Sequence, residues 1–547
     1  MRLDYTRWPD GCASRYRRHG YWSGETLADM LAAAARRWPD RTAVVDGQRR
    51  IDYPELVDRS ERLAGGLHRL GLRAGDRVVV QLPNVAELVE LCFALFRLGA
   101  VPIMALPAQR YTEIAHFCRF AGATAYVVAD RHGGFDHVAL AREVADAAPS
   151  LRYVLVHGEP GVGGGRARFV RLAEAYDLPY VGPAPRPDDV ALLQLSGGST
   201  GVPKLIPRTH DDYLCAARAC LHATGFRADD VYLGALPVAH NFPLVSPGVF
   251  GALAAGGRTV LARYPAPEVA FRLIEAERVT VTSVVPPLAL AWLSAAERTR
   301  YDLSSLRLLQ VGGAKCGTEL AARIAPTLGC RLQQVYGMAE GLINLTRPDD
   351  ADETVLATQG RPASDADEVR VVDGTGADVP DGTEGELLTR GPYTVRGYWT
   401  GPDPDAPAAA EVAAHNATAF TVDGFYRTGD LVRRRPDGYL VVTGRVGDQI
   451  NRGGEKVAPA EVENHLLAHP SVHDAAVVGV PDRYLGERVT AYVVPTGEAP
   501  SAAELTGFVR SRGLAAYKVP DRIEVVAELP TLGVGKHARR RLRGEDG

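Results

Sequence analysis

Between residues 22 and 156 the apolar positions alternate between two periods. Leu27, Met30, Leu31 and Ala34 recur at helical spacing behind Ser23-Gly24-Glu25-Thr26, which predicts a capped amphipathic helix within 22–38. Residues 42–47 read as strand and turn, and Ile51-Asp52-Tyr53-Pro54 opens a second helix to about Leu70. Arg77-Val78-Val79-Val80-Gln81-Leu82 is the nearly continuous apolar run of a parallel strand covered on both faces. A helix over 84–98, a strand over 101–105 and further alternation to about 156 complete the rhythm of a doubly wound α/β body.

The glycine run within 158–165 predicts a surface loop. Strands are then expected near 190–193, 231–236, 258–262, 281–285 and 307–311, again separated by helical stretches. From 368 to 446 short strands and turns take over, which predicts a β-subdomain or barrel. The Pro- and Ala-rich stretch 401–413 reads as an exposed loop. After about 448 a small α+β pattern restarts, with helices over 460–469 and 502–512 and strands near 473–480, 488–495 and 521–527. The expected division is an N-terminal body, 1–447, and a C-terminal unit, 448–547, of ordinary domain size.

Composition narrows the function. Apolar content of 46% with 23% charged residues fits a soluble globular chain, and a net charge of −4 argues against nucleic acid as a partner. The N-terminus lacks an apolar targeting core, and the most apolar stretch, 88–107, is broken by Glu90, Arg97 and Gly99-Ala100-Val101-Pro102, so no membrane span is expected. Seven scattered cysteines without a C-x-x-C pair imply free thiols in a reducing cytoplasm. Only five of 62 basic residues are lysine, and Lys204, Lys315, Lys456 and Lys536 follow glycine-rich stretches. A compact, mobile ammonium beside glycine suits phosphate or acyl-phosphate chemistry.

Leu195-Ser196-Gly197-Gly198-Ser199-Thr200-Gly201-Val202-Pro203-Lys204 combines backbone amides, hydroxyls and an ammonium, the donors a phosphate needs, without Walker A spacing. The stretch resembles the phosphate loop of the adenylate-forming superfamily, which includes acyl-CoA synthetases, luciferases and peptide-synthetase adenylation domains. The resemblance implies that fold: a large α/β body with a β-subdomain and a small mobile C-terminal domain. Six further motifs follow in the family's order. Gly312-Gly313-Ala314 would line the adenine and aryl pockets. Gln333-Gln334-Val335-Tyr336-Gly337-Met338-Ala339-Glu340 gives Tyr336 an adenine face and Glu340, with Thr200, a Mg²⁺ bridging ATP phosphates. Asp430 of Tyr426-Arg427-Thr428-Gly429-Asp430 suits both ribose hydroxyls. Gly444-Arg445-Val446-Gly447-Asp448 gives Arg445 a ribose or phosphate contact and Asp448 the hinge; relatives commonly carry lysine where Gly447 stands. Gly453, Gly454 and Lys456 would line the pantetheine tunnel, and Lys536, after Gly533-Val534-Gly535, would be the catalytic lysine of adenylation.

Leu205-Ile206-Pro207-Arg208-Thr209-His210 and His240-Asn241-Phe242-Pro243-Leu244 resemble the aryl-acid-activating branch, the 2,3-dihydroxybenzoate and salicylate AMP ligases of siderophore assembly. Amino-acid-activating relatives usually have aspartate near Asn241; a carboxamide can bond an ortho-hydroxyl but cannot neutralise an ammonium. His240 would stand at the substrate carboxylate. Ser246 matches the serine associated with 2,3-dihydroxybenzoate, where salicylate enzymes tend to have cysteine, whereas Ile343 is larger than the valine typical of dihydroxybenzoate enzymes, and salicylate enzymes tend towards leucine there. Phe242 replaces the more usual tyrosine. The expectation is a 2,3-dihydroxybenzoate-AMP ligase, with salicylate or 3-hydroxypicolinate as alternative acids. ATP and Mg²⁺ are its cofactors, and an aryl or peptidyl carrier protein, met in trans through phosphopantetheine, is its partner. An aryl-CoA ligase using free CoA is the nearest rival. An idle ATP-binding scaffold is disfavoured by the presence of Lys204, Glu340, Asp430, Arg445 and Lys536.

Overall fold

The structure is a computed structural model that describes residues 3–161, 166–196, 203–452, 455–512, 514, 516–532 and 536–544. Its frame is two large sheets. One has seven strands in the order Leu205–Thr209, Val190–Leu195, Val101–Met104, Arg77–Gln81, Ala125–Ala129, Tyr153–His157 and Arg168–Arg171. All pairs in it are parallel except Val190–Leu195 with Leu205–Thr209. The other has nine strands, and its centre runs Arg331–Gly337, Leu308–Val311, Val281–Val284, Val231–Gly234, Arg258–Leu261 and Thr42–Asp46, all parallel.

The period-two alternation inside the apolar strands decides the layering. Val78 and Val80 join one hydrophobic cluster with Val44, Tyr232 and Leu308 of the other sheet, together with the helices Leu27–Arg37, Tyr53–Arg69, Ala86–Leu98 and His210–Thr224. Val79, between them, points to the opposite face, under Tyr111–Phe120 and His137–Ala147. Val45, Leu233 and Leu309 likewise face Pro267–Glu277, Pro286–Ala296 and Thr318–Leu328. Each sheet is covered on both sides, as nearly continuous apolar strands require. Thr26 and Thr209 begin their helices with reciprocal capping boxes to Asp29 and Asp212.

Strands Glu368–Val372, Glu384–Arg390, Tyr426–Arg434 and Leu440–Arg445 form an antiparallel sheet with two edges, an open sheet and not the alternative of a barrel. Expectation and structure part at 401–413. Pro407–Ala419 is a helix, because Pro407 sits at its first turn, where no amide hydrogen bond is lost, and the following alanines have the highest helix propensity. The short strands Arg49–Asp52 and Leu205–Thr209 and the helix Asp10–Arg18 also escape the sequence pattern. After Asp448 a separate sheet of Ile450–Arg452, Glu455–Val457, Val472–Asp482, Gly486–Pro495 and Arg522–Val525 packs on Pro459–Leu467 and Ala502–Ser511 around its own core. It meets the larger part through Arg512–Glu319 at 2.7 Å and where Asn464 lies against Gly317. Among the described residues no helix is long and apolar enough to cross a membrane.

Candidate active site

The carboxyl ends of the parallel strands in the nine-stranded sheet deliver three loops to one place, where open α/β sheets hold ligands. Leu308–Val311 ends in Gly312-Gly313-Ala314, Val231–Gly234 leads to His240 and Asn241, and Arg331–Gly337 ends on Tyr336 and Gly337. Gly312 is where they touch: a Cβ there would lie 2.7 Å from the Val335 carbonyl oxygen and 3.0 Å from the Phe242 ring. Gly313 has φ +79°, a conformation that favours glycine. Ile343 stands opposite Gly337 in an antiparallel pair, so it, Val335 and Phe242 share one buried apolar wall.

The loop carrying His240 and Asn241 is tied from below by Asn84. Its amide donates to the carbonyls of Gly234, Leu236 and Ala262, and its oxygen accepts from Val238 N–H. His240 caps the turn Asn241–Val245, its Nδ1 accepting from Phe242 N–H at 3.2 Å, which leaves the proton of the neutral ring on Nε2. Asn241 Oδ1 accepts from the Tyr213 hydroxyl at 2.9 Å, and Tyr213 in turn accepts from Gln194 Nε2 at 3.1 Å. Ser246 is buried and its hydroxyl interacts with the Cys220 thiol. Burial pushes that thiol up to about 12, so it stays protonated.

The residues expected to meet the nucleotide come from both sheets and from the antiparallel sheet beyond them. Ser196 and Lys204 close the base of the phosphate loop reciprocally: Ser196 N–H donates to the Lys204 carbonyl at 3.0 Å, and Lys204 N–H to Ser196 Oγ at 2.9 Å. Gly197, Ser199 and Thr200 lie outside the described residues. The Lys204 ammonium sits 5.8 Å from the Tyr398 ring. The Tyr398 hydroxyl donates to Glu340 Oε1 at 2.7 Å and lies 3.0 Å from the Tyr426 hydroxyl. Glu340 is therefore a buried, hydrogen-bonded carboxylate, linked through Tyr398 to the neighbourhood of the Lys204 ammonium. Among the described residues no cluster of three His, Cys, Asp or Glu could bind a metal alone. One hard oxygen ligand beside phosphates is nevertheless the usual environment of Mg²⁺, and Glu340 fits it.

Asp430 accepts from the Tyr336 hydroxyl at 2.6 Å and pairs with Arg445 Nε at 2.7 Å. The cross-strand register that sets Asp430 opposite Arg445 makes this pairing local. Burial and the Asp430 charge push the Tyr336 phenol well above its ordinary value. Asp448 is held by Arg539 at 3.3 Å, which also grips Glu463, and by Arg543 at 3.7 Å. Gly453 and Gly454 fall outside the described residues. Lys456 and Lys536 are described as strand positions, opposite Asn451 and Leu532.

Sequence reading missed the groups that hold these side chains: Asn84, Gln194, Tyr213, Cys220 and Tyr398. Asn84 carried a faint signal, a polar residue just past the Leu82-Pro83 end of an apolar run, and all five are distant in sequence from what they hold. Lys315, read as a glycine-flanked phosphate lysine, donates instead to the Val442 carbonyl at 2.8 Å, and burial lowers its pKa.

Residues 31–399 match the family of AMP-binding enzymes, and residues 461–536 match the AMP-binding enzyme C-terminal domain. The chain is 53% identical to a 2,3-dihydroxybenzoate-AMP ligase of Bacillus subtilis over 99% of its own length and 98% of that relative. It is 48% identical to a salicyl-AMP ligase / salicyl-S-ArCP synthetase of Mycobacterium tuberculosis, covering 98% and 94% of the two chains. The apo structure of MbtA from Mycobacterium smegmatis superposes with a TM-score of 0.75 at 47% identity, covering 99% of this chain and 98% of that one.

Proposed function

The chain belongs to the family of AMP-binding enzymes and is a ligase, and from that premise we propose that it adenylates a hydroxy-aryl carboxylic acid, 2,3-dihydroxybenzoate first. The observation that carries this reading is Asn241, a buried neutral carboxamide directly before Phe242, whose side chain belongs to the same apolar cluster as Val335 and Ile343. Such a cluster accepts a flat ring, and a carboxamide there serves an ortho-hydroxyl while leaving an amino acid's ammonium without a counter-charge.

In the first half-reaction a carboxylate oxygen attacks the α-phosphorus of ATP, and pyrophosphate leaves. Lys536 meets the charge developing between carboxylate and α-phosphate, where a fixed positive group lowers the barrier most. Ser196, Gly197, Ser199, Thr200 and Lys204 cradle the phosphates. Asp430 and Arg445 take the ribose, and Tyr336, Gly312, Gly313 and Ala314 take the adenine. Glu340 and Thr200 would hold Mg²⁺, which neutralises phosphate charge when bound. The second half-reaction has a phosphopantetheine thiol of an aryl carrier protein attack the adenylate carbonyl, releasing AMP and leaving a thioester. Body 1–447 and unit 448–547 turn about Asp448 between the two steps, bringing Gly453, Gly454 and Lys456 to the thiol's path. The free, mostly buried cysteines fit a reducing cytoplasm as the place of action.

Pyrophosphate release across 2,3-dihydroxybenzoate, salicylate, 3-hydroxypicolinate, benzoate and ordinary amino acids tests the reading. Preference for 2,3-dihydroxybenzoate is expected, with the Ser246 hydroxyl meeting the second ring hydroxyl. Preference for salicylate or 3-hydroxypicolinate would move the decision to Ile343 and Phe242. Turnover of amino acids alone would overturn the role given to Asn241. Replacing the carrier protein by CoA separates a carrier-dependent ligase from an aryl-CoA ligase.

A further inference from the structure

Asn241 presents two chemically opposite faces, an acceptor oxygen and a donor NH₂, and something must choose between them. The choice is made behind the pocket. Gln194, at the end of Val190–Leu195, donates from Nε2 to the Tyr213 oxygen at 3.1 Å, and the Tyr213 proton goes to Asn241 Oδ1 at 2.9 Å. All three side chains are buried, Tyr213 completely. Tyr213 stays a neutral phenol because burial pushes its pKa up, so it has a single proton to give. One lone pair of Oδ1 so engaged fixes which way round the amide lies, and Nδ2–H is the end turned away from Tyr213.

We infer that Gln194 and Tyr213 are positioning residues that lock Asn241 as a donor, and that this lock selects aryl acids carrying an ortho-hydroxyl over those carrying an ortho-amine. The inference rests on the aryl-acid reading given above. In an ortho-hydroxy acid the hydroxyl proton is engaged by the neighbouring carboxylate, and an oxygen lone pair points outward, where Nδ2–H can meet it. In an ortho-amino acid one N–H turns to the carboxylate and the second points outward, against another donor. The two acids have nearly the same shape, so packing alone distinguishes them poorly. An unmatched buried donor distinguishes them well, because a site built for one hydrogen-bond polarity leaves the other unsatisfied.

The test compares salicylate with anthranilate (2-aminobenzoate) as substrates for pyrophosphate exchange in the full-length enzyme, wild type beside Tyr213→Phe and Gln194→Met. The readout is the ratio of kcat/KM for the two acids, with the KM for ATP followed in parallel. Tyr213→Phe frees Oδ1 and lets the amide turn, so the ratio is expected to fall about tenfold or more while the KM for ATP holds. Gln194→Met removes only the upstream donor and is expected to lower the ratio less. A purely structural role would change both acids alike and leave the ratio where it was. An unchanged ratio in both variants, with wild type still using salicylate, overturns the lock and leaves the aryl-acid reading standing. A wild-type enzyme that uses neither acid nor any hydroxylated analogue overturns the parent reading. Should Tyr213→Phe fail to fold, the Gln194→Met ratio decides alone.

Discussion

At the scale of single residues, the pocket is defined by atoms that have no room to move. Gly312 shows this directly, since its nearest neighbour is a backbone carbonyl that a side-chain adjustment cannot relieve. Gly312→Ala is expected to introduce about 1–3 kcal/mol of overpacking, read as about a 5- to 150-fold rise in KM for the aryl acid or ATP. A KM within twofold of wild type would show that the three loops do not meet there in solution. Asp367 makes a second residue-scale case. It is half-buried beside the Tyr393 hydroxyl, which bonds its carboxyl, and loss of solvent pushes its pKa up to about 8. Unfolded, an aspartate titrates near ~3.9, so between about 4 and 8 the folded protein holds a proton that the unfolded chain has lost. Stability from this group is therefore full below about pH 4 and falls as pH rises towards 8. Asp367→Asn should gain melting temperature relative to wild type on going from pH 5 to pH 8, and parallel pH profiles would place the titration elsewhere.

At the scale of elements, loops at the strand ends take their shape from side chains contributed by the other sheet. Asn84 follows Arg77–Gln81 of the seven-stranded sheet, yet it bonds three carbonyls and one amide of the loops leaving the nine-stranded sheet. Asn84→Ala leaves those buried groups without partners, at a cost of about 1–3 kcal/mol. Loss of kcat/KM for the aryl acid should exceed the loss for ATP, because His240 and Asn241 ride on the released loop. Equal losses would mean that the loop holds its shape unaided. Elements were also where the sequence was most and least legible. The parallel strands read correctly because burial on both faces leaves a continuous apolar signature. Pro407–Ala419 did not, because alanine and proline in a row look like linker by composition although they are good helix material when proline comes first.

At the scale of the whole molecule, the described polar contacts between the part after Asp448 and the larger part include the exposed pair Arg512–Glu319 and the part-buried Gln449–Glu384. The Arg512–Glu319 pair is worth little to stability, as partly exposed ion pairs are. It can still bias one arrangement of two bodies against another. Charge reversal in Arg512→Glu is expected to leave the melting temperature nearly unchanged. It should slow whichever half-reaction the docked arrangement serves, changing the ratio of thioester formation to pyrophosphate exchange by up to about fivefold. The exchanged pair Arg512→Glu with Glu319→Arg should restore the ratio; failure to restore it would show that the pair does not act across this contact.

The amino-acid sequence by itself determined the local grammar. Apolar period placed the strands, glycine and lysine marked the stretch proposed to cradle phosphate, and Asn241, Glu340, Asp430 and Arg445 stood in recognisable order. Those signals are local because each depends on the chemistry of a few adjacent residues. Only the tertiary structure decided what each of them faces. Asp430 meets Tyr336, Glu340 is held by Tyr398, and the polarity of Asn241 is set through Tyr213 by Gln194, 47 positions away in the chain. Hydrogen-bond direction is a property of a closed network of buried donors and acceptors, and a network closes only when the sheets have packed.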